Sequence, residues 1–233
     1  MLLIQDITKF TLQDYPENTA CIIWFSGCNL RCKYCHNPDI VNNCQNLLSE
    51  KSVIDFLEKR KGLLDGVVFS GGECTMSVGL CEFAKRVKDL GYKIKIDTNG
   101  INYDVIHDLV ESKIIDFVAL DFKSLKDKFE FITQRYYFDK FERTLEYLIK
   151  KNNEKQINFE VRTTVHTDLL NEDDINEMIN YLDKIGFTSN YFIQNFRNDN
   201  RSLLYELPKQ KHILDMNKII KSKNFSIAYR NFF

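Results

Sequence analysis

The sequence predicts an α/β fold built on a parallel sheet that curls into a partial or full barrel. Three observations carry this reading. Short β-branched or aromatic runs alternate with longer stretches of helical periodicity, the pattern of strands joined by crossover helices. The alternation recurs roughly six times with a period of about 30 residues, more than a small open sheet needs. Polar residues follow each apolar strand, as expected where ligands sit at the carboxyl ends of parallel strands.

In chain order, Ala20–Phe25 reads as the first strand, and a cysteine-rich loop follows it. Val53, Ile54, Phe56 and Leu57 form a helical stripe within Val53–Arg60. Val67–Phe69 is a buried strand, and Gly79–Leu90 is a helix that stops at Gly91, where a left-handed residue closes the last turn. A strand at Lys93–Ile96, a helix at Tyr103–Val110, a strand at Phe117–Leu120 and a long helix across Phe138–Ile149 follow. The polar run Lys150–Gln156 reads as a solvated loop inside the domain. Beyond it come a strand at Asn158–Val165, a helix at Asp173–Ile185 stopped by Gly186, and a strand at Tyr191–Ile193. A helix across Leu207–Ile220 and a last strand at Ser226–Tyr229 complete the series. With no Gly/Ser-rich linker or low-complexity segment, residues 1–233 are expected to form one domain with short N- and C-terminal extensions.

A chain of 233 residues is long enough for a sizeable core. Its 44% hydrophobic and 28% charged residues are ordinary for a soluble globular protein. A formal charge of −1 gives no global case for nucleic acid or an anionic membrane as partner. Met1–Asp6 lacks a basic segment followed by a long apolar one, and no run approaches membrane-spanning length, so the expected compartment is the cytoplasm. Thiols there stay reduced, and clustered cysteines suggest metal or catalysis rather than disulfides. Of the seven cysteines, Cys21 and Cys81 read as small core hydrophobes.

Cys28, Cys32 and Cys35 are different. Their spacing is C-x3-C-x2-C, with no fourth cysteine close behind. An iron–sulfur cube usually takes four thiolates, so three would leave one iron open to a ligand. The strand ends suggest which ligand. Ser70-Gly71-Gly72-Glu73, Asp97-Thr98-Asn99-Gly100, Asp121-Phe122-Lys123, then Arg162, Thr164 and His166, then Gln194 and Asn195 all fall on the predicted carboxyl rim. Gly71 and Gly72 permit close backbone approach. Glu73 and Asp97 could accept from an ammonium or from ribose hydroxyls, and Lys123 could pair with a carboxylate. Arg31 and Lys33 would favour thiolate over thiol, and Tyr34 offers an aromatic face. A ligand with an amine, a carboxylate, a ribose and a flat base satisfies these groups.

These residues resemble the radical S-adenosylmethionine superfamily. Cys28-x3-Cys32-x2-Cys35, with an aromatic before the third cysteine, resembles its cluster loop, and Gly71-Gly72-Glu73 its methionine-binding segment. Leu12–Pro16, Cys35–Pro38, Lys95–Gly100, Val118–Lys123 and Arg162–Val165 make the chain most like the glycyl-radical-enzyme activases, in the group acting on anaerobic (class III) ribonucleoside-triphosphate reductase. The resemblance implies a partial (β/α)6 TIM-like barrel, and one [4Fe–4S] cluster held by Cys28, Cys32 and Cys35. It also implies S-adenosylmethionine chelated to the open iron and contacted by Tyr34, Gly71, Gly72, Glu73, Asp97, Asn99, Lys123 and Arg162. Reductive cleavage of that molecule would generate a glycyl radical on the partner enzyme, with a flavodoxin- or ferredoxin-type protein as electron donor. Two departures stand out: Cys74 replaces the usual proline after Gly-Gly-Glu, and Glu17 the usual glycine after Asp14-Tyr15-Pro16. Cys74 is expected to be a structural substitution.

Other readings compete. Cys32-Lys33-Tyr34-Cys35-His36 also fits a c-type haem attachment pattern, but that leaves Cys28 and the strand-end residues unexplained. A structural zinc module could recruit His36 or Cys44 as fourth ligand. Within the enzyme class, a radical small-molecule enzyme such as a 7-carboxy-7-deazaguanine synthase is the runner-up. Its loop tends to read Cys-Asp-Thr rather than Cys35-His36-Asn37. His107 reads as a helix-surface residue, and His166 as a rim residue for which packing is the simpler role.

Overall fold

A computed structural model gives the fold for residues 2–35, 37–42, 47–197 and 207–232. The chain packs as two compact units, Met1–Asn29 with Asn37–Thr98 and Asn102–Ala119, and Leu30–His36 with Asn99–Ile101 and Leu120–Phe233.

In the first unit, β1 (Ile4–Thr11) pairs antiparallel with β2 (Ala20–Phe25). A short helix α1 (Pro38–Asn42) and α2 (Glu50–Arg60) lead to β3 (Gly66–Gly71), which runs parallel to β2. Then come α3 (Leu80–Asp89), β4 (Lys93–Thr98) parallel to β3, and α4 (Tyr103–Glu111). β2 is buried at five of six positions, the near-continuous apolar run of a strand covered on both faces. Its Phe25 packs edge-on against Phe69 of β3, with ring centroids 5.5 Å apart. Gly91 has φ +95°, the left-handed closure expected after α3.

β5 (Phe117–Asp121) carries the chain onward. The second unit holds α5 (Lys126–Thr133), α6 (Phe138–Asn153), β6 (Asn158–Val165), α7 (Glu172–Lys184), β7 (Asn190–Asn195) and β8 (Ser226–Arg230). β6, β7 and β8 are parallel neighbours, with Val165 opposite Asn195 and Gln194 opposite Arg230. α7 opens on a reciprocal cap: Asp174 N–H donates to the Asn171 side chain at 3.0 Å, and Asn171 N–H to the Asp174 carboxylate at 2.7 Å.

The expected elements up to β7, and the last strand, stand where the periodicity put them. α1 and α5 were not expected, and three further differences have physical causes. β1 was not expected: only Ile4 of its eight residues is buried, so it shows no apolar alternation. α6 runs on to Asn153 through Lys150 and Lys151, because a solvated last turn tolerates lysine and the helix closes beyond it at Lys155, φ +57°. The helix expected across Leu207–Ile220 is replaced by irregular chain and a 3₁₀ turn at Met216–Lys218. Its polar groups bond across to the end of β6 and to α7 instead: Thr167 N–H donates to Gln210 Oε1, Thr167 Oγ1 to the His212 carbonyl, and Asp215 N–H to the Glu172 carboxylate.

Candidate functional site

The cysteine loop begins in the first unit. β2 and β3 end side by side, with Phe25 opposite Gly71. The chain then turns through buried Ser26 and Gly27 into Cys28, pinned by Gly27 N–H to the Ile40 carbonyl at 2.8 Å. Two further bonds join this turn to the Gly-Gly-Glu segment: Gly72 N–H donates to Phe25 O and Glu73 N–H to Gly27 O, each at 2.8 Å. The backbones approach so closely that no side chain fits between them. A Cβ on Gly71 would lie 2.3 Å from Phe25 O, and one on Gly72 would lie 2.0 Å from Gly27 O and 3.4 Å from Cys28 Cβ. Gly71 also has φ +122°, which L side chains rarely adopt. The backbone that these glycines approach is that of Phe25 and Gly27, whereas the sequence pointed to a ligand.

Glu73 is buried, and its Oε1 accepts from Thr75 N–H at 3.2 Å, Thr75 Oγ1 at 2.5 Å and Thr98 Oγ1 at 2.8 Å. Asn102 in turn donates to Thr75 Oγ1 at 3.1 Å. These donors set the carboxylate's orientation and cap the 3₁₀ turn Cys74–Met76. Cys74 is fully buried with its thiol 3.6 Å from the Asp97 carbonyl, as suits a structural substitution. Burial first, then the charges of Glu73 and Asp97, hold that thiol well above its ordinary pKa.

Asp97 lies near the end of β4. Ser70 donates to its Oδ2 at 3.1 Å, and Lys95 forms an ion pair with its Oδ1. Lys95 is only 2% exposed and its ammonium lies 5.8 Å from the Phe117 ring centroid. Sequence reasoning passed over this lysine. The signal was its i, i+2 spacing from Asp97, which puts both side chains on one face of a strand.

In the second unit, Leu30–Cys35 is strapped to the end of α5. Arg31 N–H donates to Thr133 O at 2.9 Å and Lys33 N–H to Ile132 O at 3.0 Å, using carbonyls the helix end leaves unpaired. Cys35 N–H closes onto Cys32 O at 3.1 Å. Burial pushes the Cys32 thiol up to about 11, against the pull of Lys123. The cation that favours its thiolate is therefore Lys123, whereas Arg31 bonds the Leu30 carbonyl and Lys33 sits 3.3 Å over the exposed Phe131 ring.

Tyr34 is 4% exposed, with Lys123 5.7 Å from its ring centroid. Its hydroxyl is buried with no hydrogen-bond partner among the described residues, and burial, more than neighbouring charge, raises its pKa. Asp121 joins two expected site residues: its carboxylate takes Lys123 Nζ at 3.1 Å, and Arg162 Nε and NH2 at 3.1 and 3.0 Å. Burial opposes the Lys123 charge, but Asp121 foremost among its neighbours holds its pKa well above the ordinary value. The sequence placed Asp121 on the rim but gave it no role. Asn99 is buried and turns its Oδ1 back to Ile101 N–H at 3.1 Å. His166 is fully buried: Nδ1 accepts from Asp168 N–H, Nε2 lies 2.9 Å from Pro208 O, and the ring packs on Phe196, an environment that suits packing. His36 and Cys44, the candidate fourth zinc ligands, lie outside the described residues.

Among the described residues, no group of three or more His, Cys, Asp or Glu side chains stands in a metal-holding arrangement. Two features nevertheless suit an iron–sulfur cluster with S-adenosylmethionine: Cys28 backs directly onto the Gly72–Glu73 backbone, and the Tyr34 hydroxyl is a buried polar atom awaiting a partner. Among the described residues no helix is long and apolar enough to cross a membrane.

Comparison with known proteins agrees with this geometry. The Radical SAM superfamily profile matches residues 22–185. A Methanocaldococcus jannaschii protein, provisionally named as a glycyl-radical enzyme activating enzyme, is 30% identical over 240 residues, covering 98% of this chain and 95% of that one. The pyruvate formate-lyase-activating enzyme of Clostridium pasteurianum is 35% identical over 130 residues, 53% of either chain. The crystal structure of Streptococcus suis SuiB bound to S-adenosylmethionine superposes with a TM-score of 0.60 at 17% identity, over 90% of this chain. This chain spans about half of those last two proteins, 53% and 52%. The structural likeness shows the fold, a partial TIM-like barrel of the radical SAM type. The family's cofactors are a [4Fe–4S] cluster and S-adenosylmethionine. The chain belongs to the radical S-adenosylmethionine superfamily and, within it, to the glycyl-radical-enzyme activating enzymes.

Proposed function

We propose that this protein generates a glycyl radical on anaerobic ribonucleoside-triphosphate reductase, in the cytoplasm, with electrons from a flavodoxin- or ferredoxin-type donor. The observation that carries the site assignment is the fusion of the cysteine loop with the Gly-Gly-Glu segment, through the Glu73 N–H bond to Gly27 O and the side-chain-free contact at Gly72. Cys28, Cys32 and Cys35 would hold the cluster, and their spacing supports that role. When bound, the cluster and S-adenosylmethionine supply a one-electron break of the sulfonium carbon–sulfur bond, and through it removal of hydrogen from the partner's glycine. The chain's own residues bind and orient. Glu73, steadied by Thr75 and Thr98, would accept from the methionyl amine. Asp97 would accept at the same end or from the ribose, and Lys123, steered by Asp121, would meet the carboxylate. Tyr34, Gly71, Asn99 and Arg162 would complete the binding surface and keep water out.

The test is anaerobic incubation of the reconstituted protein and S-adenosylmethionine with purified candidate partners. A glycyl electron-spin signal on the reductase is expected. A signal only on pyruvate formate-lyase would overturn the partner, and turnover of a pterin instead would favour the deazaguanine-type reading. A colourless zinc protein that does not bleach on reduction would refute the enzyme reading altogether.

A further inference from the structure

In the second unit the cysteine loop meets an exposed aromatic face at the end of α5. Phe131 and Tyr136 are 53% and 84% exposed, while Ile132, Thr133 and Phe138 beside them are buried. Lys33 Nζ lies 3.3 Å from the Phe131 ring centroid, and the N–H of the same lysine is tied to Ile132 O. Thr133 Oγ1 donates to Arg135 O at 3.2 Å, which fixes the turn between the two exposed rings. Arg135 gives one guanidinium donor to Gln134 O at 2.7 Å, and among the described residues neither it nor Lys33 forms an ion pair. Lys140 adds a third cation, 4.8 Å from the Tyr137 ring centroid. The acids here are fewer: Glu130, which engages the Tyr136 hydroxyl, and Asp127 one turn earlier on α5. Lys126 and Lys128 are matched by Asp139 and Asp174.

Exposed rings rimmed by charge mark a protein contact, and aromatic residues and arginine are enriched at the centres of such contacts. The place of the face says which partner uses it. Lys33 stands between Cys32 and Cys35 in the chain, and Cys35 is only half-buried. A protein seated on Phe131 and Lys33 is therefore one residue from two of the thiols assigned to the cluster. A substrate chain gains nothing from that nearness, whereas an electron donor does. We propose that Lys33, Phe131, Arg135 and Tyr136 form the docking face for the electron donor, and that the donor is an acidic, flavin-bearing protein of the flavodoxin type. The exposed rings suit the apolar edge of a flavin, and the excess of cations suits an acidic rim around it. The reduced flavin gives up one electron, which the cluster takes up, and no bond is made or broken. A small face is enough, because electron-transfer encounters are weak and brief. The inference rests on the activase reading and adds to it where the electron enters and from what kind of protein.

Fluorescence anisotropy of labelled, purified flavodoxin and ferredoxin on the reconstituted protein, under anaerobic conditions, tests it. Flavodoxin is expected to bind the more tightly of the two, and to weaken as salt is raised. Arg135→Glu and Tyr136→Asp should each weaken flavodoxin binding about fivefold, and the double variant by more than about tenfold. Dithionite is a small reductant that needs no docking face. Cleavage of S-adenosylmethionine driven by dithionite, and the affinity for that molecule, should match the unaltered protein in all three variants, which shows that fold and cluster are intact. Flavodoxin binding within about twofold of the unaltered protein in the double variant overturns the proposal. Ferredoxin binding as tight as flavodoxin overturns the choice of donor. A loss of dithionite-driven cleavage as deep as the loss of flavodoxin binding would assign these residues to the cysteine loop and also overturn it. So would a double variant that loses self-association, or binding of the glycyl radical partner, while keeping flavodoxin. If the unaltered protein cleaves S-adenosylmethionine with dithionite yet the variants bind flavodoxin as it does, the docking face fails and the activase reading stands. If it holds no cluster and cleaves nothing, the activase reading fails and this inference with it.

Discussion

Gly72→Ala probes the contact on which the site is founded. Gly72 has no left-handed φ, so alanine carries no conformational penalty there and the whole effect is collision. The new methyl would sit 2.0 Å from Gly27 O and 2.7 Å from Gly27 C. Backbone has no rotamer to yield, so the two segments must part by roughly 1 Å or more to reach ordinary contact. Parting stretches the two 2.8 Å bonds, Gly72 N–H to Phe25 O and Glu73 N–H to Gly27 O. Each is worth about 1 kcal/mol net, and more if a group stays buried without a partner. With the overpacking strain of about 1–3 kcal/mol, the loss should be about 3–5 kcal/mol, or a Tm lower by roughly 6–20 °C for a chain of this size. Gly186→Ala is the control. It has a left-handed φ of +78° but nothing within 4 Å, so it isolates the conformational cost, about 1 kcal/mol. The assay is denaturant unfolding of the cluster-free protein, with S-adenosylmethionine binding measured on the reconstituted one. If Gly72→Ala unfolds within about 0.5 kcal/mol of the unaltered protein and binds S-adenosylmethionine normally, the argument from backbone contact is wrong.

Lys95→Met keeps the stem of the lysine but strips the partly buried Asp97 carboxylate of its ammonium, and should cost about 2–3 kcal/mol in denaturant unfolding. Adding Asp97→Asn should recover part of that loss, and strict additivity in the double-mutant cycle would disprove the coupling. Tyr34→Phe removes a buried hydroxyl that has no partner among the described residues, so stability should hold or rise by about 1 kcal/mol while S-adenosylmethionine binding weakens. A stability loss above about 1 kcal/mol would mean the hydroxyl is already bonded. Alanine at Cys28, Cys32 or Cys35 should abolish the brown chromophore and S-adenosylmethionine cleavage together, and cleavage retained in any one of them would overturn the ligand assignment.

The reach of sequence reasoning followed the burial of each element. β2 and β3 were legible because nearly every side chain is buried, and the ends of α3 and α7 because Gly91 and Gly186 take left-handed φ values that glycine alone adopts freely. α5 was missed because its eight residues bury only Phe129, Ile132 and Thr133 and carry no side-chain N-cap. The segment around Gln210 reads as helical in isolation, yet its polar groups are bonded by residues more than 40 positions away, which local periodicity does not register. In the candidate site, the cysteines and glycines stand out by type and spacing. Lys95 did not, because a charged residue in a strand looks solvated until the fold closes over it, and Asp121 was placed on the rim without its pairing to Lys123 and Arg162.

The strap between the cysteine loop and α5 makes the length of that helix a dimension of the cysteine loop. The carbonyls of Ile132 and Thr133 that anchor Lys33 and Arg31 belong to its last turn. One residue inserted into α5 would rotate those carbonyls by about 100° and advance them by about 1.5 Å, leaving the loop nothing to grip in its present register. Insertions and deletions that surface helices ordinarily absorb should therefore be barred from Lys126–Thr133.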